Sequence, residues 1–166
     1  MPAMCLRFWP EWAWVKHPID DERFGRVLSA RFRRVAEPPA WGQSSFLDGK
    51  KSGGALLDLH IHDADFVQFC FGMPKTLYAQ GHSKVSGEID HVLAQYEVNC
   101  GAAVSAEGSW AMTKGFGFSM EYTVNFERAT ADFDNMRGDD CLKLFEKDKE
   151  PETLKLDGPD GYAGQI

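Results

Sequence analysis

The sequence has 166 residues, 43% of them hydrophobic and 26% charged, enough for one domain with its own core and too few for two full ones. Its formal net charge is -7 with the acids scattered, a surface that repels phosphate backbones and argues against nucleic-acid binding. No stretch approaches the roughly 20 apolar residues that span a membrane, and the start, MPAMCLRFWPEW, lacks the basic-then-apolar pattern of a signal peptide.

After Pro10, Trp12, Val15 and Ile19 recur at near-helical spacing and predict a helix from about Glu11 to about Phe24, which Pro18 should shorten or bend. Past Gly25, Val27, Ser29, Arg31 and Arg33 alternate with Leu28, Ala30, Phe32 and Arg34, the period of a strand, which Pro38 and Pro39 break. Arg31, Arg33 and Arg34 read as a basic patch that pairs with some of the acids. A polar loop, GQSSFLDGKKSGG, follows.

From Gly54, ALLDLHIHDADFVQFCFG has no Gly or Pro until Gly72, with Pro74 just beyond, and predicts one long helix with a glycine stop. Thereafter the period is two, with strands near 75–82, 91–100, 103–112, 118–127, 129–134, 141–147 and 152–156. The clearest is FSMEYTVNFE, whose Phe118, Met120, Tyr122, Val124 and Phe126 share one face. Short turns imply antiparallel pairing, because parallel neighbours need long crossovers. The expected fold is α+β: a large, predominantly antiparallel sheet with helices packed on one face. Ser105, Glu107, Ser109, Thr123 and Asn125 are expected on its outer face, and Trp12, Trp14 and Trp110 in the core. Cys5, Cys70, Cys100 and Cys141 stand far apart with no CxxC pair, the usage of reduced thiols in a soluble cytoplasmic protein. No Gly-rich phosphate loop joins a strand to a helix, so no dinucleotide cradle is expected in this chain.

The chemistry concentrates in GGALLDLHIHDAD, Gly53 to Asp65. At about 100° per helical residue, Asp58, His62 and Asp65 fall within an arc of roughly 60°, and His60 lies roughly 160° from His62. An imidazole beside carboxylates suits proton abstraction from an alcohol, since the carboxylate raises its basicity and stabilises the imidazolium formed. The same spacing also fits an acidic helix edge that meets solvent or a neighbouring Lys or Arg. A rival reading takes LLDLHIH as the end of a metal-binding strand, with His60 and His62 on one metal, as in amidohydrolases. Against it, the residues after His62 continue as helix, and only His17, His82 and His91 remain as further histidines. The barrel such a site requires also takes about 250 residues.

The chain resembles the C-terminal domain of the glucose–fructose oxidoreductase / inositol dehydrogenase / rhizopine-catabolism (Gfo/Idh/MocA) family over essentially its whole length. RFWPEWAWVK is similar to the family's Arg-Phe-x-Pro segment, FGRVLSARFRR to its "G.iG.v......R" first strand, and Trp41 to a tryptophan of the following loop. SGGALLDLHIHDADFVQFCFGMPKTLYAQ resembles the specific "GG.l.D.g.H..D.......G.p..v.a" signature, with His60 standing where glycine is usual. The tail DGYAGQI resembles the start of a helix leading back to an N-terminal domain.

The resemblance implies an NAD(P)-dependent oxidoreductase of sugars, polyols or related hydroxy compounds, with NAD or NADP held by an N-terminal Rossmann domain missing here and a truncated C-terminal helix. It implies His62 as catalytic acid/base, Asp58 as the residue that orients it or raises its basicity, and Asp65 as a third motif position near substrate. Arg7 and Trp41 are candidate substrate-binding residues; no cofactor-binding or metal-binding residue is expected in the chain. The family also implies a homodimer or tetramer formed through the sheet. By itself the chain is expected to be inactive. A non-catalytic binding or assembly domain that keeps the sheet surface is the alternative from a different class.

Overall fold

Pro10 opens helix α1 (Pro10–Asp20) where its missing N–H costs nothing. In this computed structural model, which describes residues 4–39 and 43–165, a 3-10 turn, Cys5–Phe8, precedes that helix. The helix ends at Asp20, short of the expected Phe24, with Pro18 in its last turn. Phe24 instead packs on Phe126 at 5.6 Å between ring centroids. Strand β1 (Val27–Ala36) follows. The stretch expected as a polar loop contains two short helices, α2 (Gln43–Phe46) and α3 (Gly49–Ser52). The long helix is two, α4 (Gly54–Asp58) and α5 (His60–Phe71), parted at Leu59. Strands β2 (Thr76–His82), β3 (His91–Glu97), β4 (Ala103–Ser109), β5 (Phe118–Phe126), β6 (Ala129–Asp134), β7 (Leu142–Glu146) and β8 (Glu152–Thr153) complete the order.

The eight strands form one sheet in the order β2-β3-β4-β1-β5-β6-β7-β8. Every neighbour pair is antiparallel except β1 and β4, which run parallel with Phe32 opposite Ala106. That one parallel pair departs from the simple meander that short turns suggested. Its cause is the connection: four helical segments and a hairpin lie between β1 and β4, long enough to bring the chain back in the same direction. The first strand thus becomes a central one.

Helices α1 and α5 cover the inner face. Trp12 of α1 is fully buried among Phe32, Phe66, Tyr122 and Phe133, with centroid distances of 4.9 to 6.2 Å. Each such pair adds about 0.5–1.5 kcal/mol beyond its area burial. The Tyr122 hydroxyl donates to the Glu11 carbonyl at 2.7 Å, fastening β5 to α1. Trp110 is buried in a smaller cluster with Ala36, Ala55 and Leu59, and Trp14 packs partly buried on the main core.

The outer face is tied by ion pairs. Arg33 bridges Glu107 (3.1 Å) and Glu121 (2.6 Å), Arg31 reaches Glu121 (3.4 Å), and Thr123 donates to Asp132 (2.8 Å). Ser109, expected outward, is buried instead, its hydroxyl held between the Asp90 carbonyl and the Ala111 N–H. Among the described residues no helix is long and apolar enough to cross a membrane.

Candidate functional site

The site grows from the interruption at Leu59. Its backbone (φ -103°, ψ -58°) separates α4 from α5, and its carbonyl accepts from the His62 N–H at 3.3 Å and from Arg34 Nη2. Two successive left-handed glycines set where α4 begins: Gly53 at φ +75° and Gly54 at φ +67°. A Cβ at Gly54 would stand 2.5 Å from the Ile89 carbonyl oxygen, so the close approach of α4 to that loop needs glycine.

Arg34 is the chief correction to the sequence reading. It pairs with an acid, as expected of the three arginines, but from the opposite face of β1 to Arg31 and Arg33: its relative exposure is 5%, and its Nε donates to Asp63 Oδ1 at 2.9 Å. Asp63 is wholly buried, and Oδ2 has no hydrogen-bond partner. The signal was present in the alternation: Arg34 shares its parity with Ala30 and Phe32, the inward residues of β1.

Asp58 and His62 both line a cleft of about 710 Å³, together with Arg34, Trp110, Phe118 and Tyr162. Both side chains are half-buried, and no hydrogen bond joins them. His62 Nδ1 is enclosed without a partner, which leaves Nε2 as the ring nitrogen not enclosed. Burial first, and then the Arg34 cation, push the His62 pKa down to about 4, against an upward pull from Asp65. This direction is opposite to the basicity that carboxylate spacing suggested. The Arg34 cation acts on the ring more strongly than the Asp65 carboxylate, which is paired with Arg7. Burial raises the pKa of Asp58, with Arg34 opposing.

Asp65 receives the Arg7 fork, Nε to Oδ2 at 2.7 Å and Nη2 to Oδ1 at 2.5 Å. Arg7 also lies 4.8 Å over the Phe69 ring. This pair clamps the first turn to α5, and neither residue is among those lining the cleft. Trp41 lies outside the described residues.

His60 faces the sheet, its Nε2 3.3 Å from the Tyr96 hydroxyl of β3. Gly108 on β4 gives it room, since a Cβ there would sit 2.8 Å from His60 Cβ. Burial pushes its pKa down to about 4. Among the described residues no three His, Cys, Asp or Glu side chains gather as a metal ion would require.

Tyr162 escaped the sequence reading because no periodicity marks it. The tail brings it to the cleft by packing on the first turn, where Trp9 and Tyr162 meet edge-on at 5.9 Å.

The architecture recurs in solved structures. Levoglucosan dehydrogenase in complex with NADH and levoglucosan superposes with a TM-score of 0.78 at 21% identity, covering 94% of this chain and 47% of that one. UDP-N-acetylglucosamine 3-dehydrogenase from Acidithiobacillus ferrooxidans gives 0.73 at 19% identity, covering 96% of this chain and 47% of that one. At these identities the likeness is one of fold. In sequence, scyllo-inositol 2-dehydrogenase (NAD(+)) of Bacillus subtilis (strain 168) is 31% identical over an alignment of 113 residues that covers 62% of this chain and 31% of that protein. The chain therefore spans about a third of that curated relative's length and about half of the dehydrogenase structures it superposes on. Residues 12–132, which run from the first turn of α1 into β6 and include Asp58 and His62, match the GFO/IDH/MocA C-terminal domain, and the chain belongs to that family.

Proposed function

We propose that this chain supplies the substrate-binding and proton-transferring side of an NAD(P)-dependent dehydrogenase acting on a hydroxyl of a sugar, polyol or related compound. The observation that carries the reading is His62: an imidazole with no hydrogen-bond partner that lines an aromatic-walled cleft together with Asp58, and whose pKa burial and Arg34 push down. Trp110, Phe118 and Tyr162 offer flat apolar surface to the C–H face of a sugar ring, while Asp58 and His62 meet its hydroxyls. His62 Nε2 takes the proton of the reacting hydroxyl. A base with so low a pKa needs support as it becomes charged, and the Asp58 carboxylate supplies that support from the same cleft.

The reading places the dinucleotide outside this chain, and the element order of the described residues, with no strand running through a Gly-rich turn into a helix N-terminus, supports it. When bound, the nicotinamide supplies the hydride acceptor, a chemistry that no side chain of this chain provides. The same proposal includes a soluble, cytoplasmic protein and association of copies through the outer sheet face.

The test is turnover by the protein expressed with its upstream coding sequence, assayed on a polyol and sugar panel with NAD and NADP. In that protein His62→Ala should lower kcat by roughly 10²–10⁴-fold with cofactor affinity little changed. A near-normal kcat would return His62 to a structural role.

A further inference from the structure

Arg34 is held at two points inside the cleft wall, by Asp63 through Nε and by the Leu59 carbonyl through Nη2. A buried ion pair is a poor source of stability, because desolvation offsets most of its attraction and a packed apolar pair would hold β1 to α5 as well. An apolar pair could not take hold of the carbonyl at the helix break. Leu59 lies between Asp58 and His60, so whatever fixes its carbonyl fixes how α5 departs from α4.

We propose that Arg34 is a positioning residue: by gripping Leu59 and Asp63 at once, it sets where His62 stands relative to Asp58. The proposal rests on the reading of His62 as the proton acceptor. The guanidinium has a second effect. Its charge works with burial to keep the imidazole neutral, the form that accepts a proton. Asp65 pulls the other way from α5 but is forked to Arg7 of the first turn. The remaining charged or titratable groups around the cleft are Asp58 on α4, Glu37 just after β1, Lys114 between β4 and β5, and Tyr162 of the tail.

The experiment follows the His62 ring and its amide by NMR in the 166-residue chain, with wild type, Arg34→Lys and the double variant Arg34→Met/Asp63→Leu. The double variant removes both charges and strands neither. Wild-type His62 should titrate far below the ordinary 6.5. In the double variant its midpoint should move up towards 6.5, and hydrogen exchange at the His62 amide should quicken. Arg34→Lys keeps the charge and loses the fork, so it should leave the midpoint low and still quicken exchange.

A folded double variant whose His62 titrates and exchanges like wild type would overturn the proposal. Should the double variant fail to fold, Arg34→Lys decides: unchanged exchange overturns the proposal, and faster exchange supports it. Neither readout needs turnover. Absence of dehydrogenase activity in the longer protein would end the functional reading and leave the Arg34 result standing.

Discussion

His60 and Gly108 are fitted to one another, an imidazole on α5 occupying the space that a missing side chain leaves on β4. Gly108→Ala would place a methyl 2.8 Å from His60 Cβ and 3.3 Å from its Cα, contacts that backbone on both sides resists. We expect a loss of about 1–3 kcal/mol in urea unfolding, the usual cost of overpacking. In a His60→Gly background the same substitution should cost clearly less, because the two positions share one volume. Asp63→Ala is the severer change, since it leaves the Arg34 cation buried and unpaired. Removing one partner of such a pair costs about 3–5 kcal/mol, which thermal unfolding would register as a large fall in Tm. The two histidines also predict a pH dependence. His60 and His62 titrate near 4 in the fold against 6.5 when unperturbed, so between these values the unfolded chain binds more protons. Their contribution to stability is complete above about 6.5 and is lost as pH falls towards 4. Urea midpoints that stay flat across that window would contradict the burial of both rings.

Among the elements, the short helix α4 is held by its neighbours rather than by its own length. Five residues are too few to form a stable helix alone. The Leu56 N–H donates to the Ile89 carbonyl at 3.2 Å, and the Gly49 N–H to Ser86 at 3.0 Å, so the β2–β3 connection anchors this region. That connection is itself tied by Asp90, whose Oδ2 accepts from the N–H groups of Lys84, Val85 and Ser86 at 2.7, 2.6 and 3.0 Å. Gly54→Ala tests the arrangement directly. A left-handed alanine costs about 1–3 kcal/mol as strain, and here the Cβ also meets the Ile89 backbone oxygen at 2.5 Å. The variant should unfold at lower urea, and the Asp58 resonances should shift as α4 is displaced.

At the scale of the molecule, the two faces of the sheet differ. The inner face is closed by α1 and α5, whereas the outer face mixes the Arg33 ion-pair network with exposed Leu28, Leu93 and Phe145. Such a surface suits a partly wet contact between copies. Light scattering at high concentration should show a dimer or tetramer, and a monomer would count against association through this face. Calorimetry on the 166-residue chain should detect no tight NAD(H) binding. A tight complex would mean that a dinucleotide site exists in the chain without a Gly-rich turn.

What the sequence determined by itself was local: the period-two runs, the glycine stop at Gly72 and the parity that puts Phe32 and Tyr122 inside. These are properties of neighbouring residues, and the mostly antiparallel sheet with helices on one face follows from them. Asp58 and His62 line one cleft, but from two helices parted at Leu59 rather than from the single helix that their spacing suggested. Tertiary structure alone decided the rest. The break at Leu59 carries no sequence mark, and its carbonyl accepts from an arginine 25 residues earlier in the chain. The parallel partnering of β1 with β4 depends on the whole crossover, and Tyr162 reaches the cleft only because the tail packs on Trp9. The charge state of His62 depends on tertiary structure as well, since burial and the Arg34 cation, 28 residues earlier in the chain, outweigh the Asp65 carboxylate of the same helix.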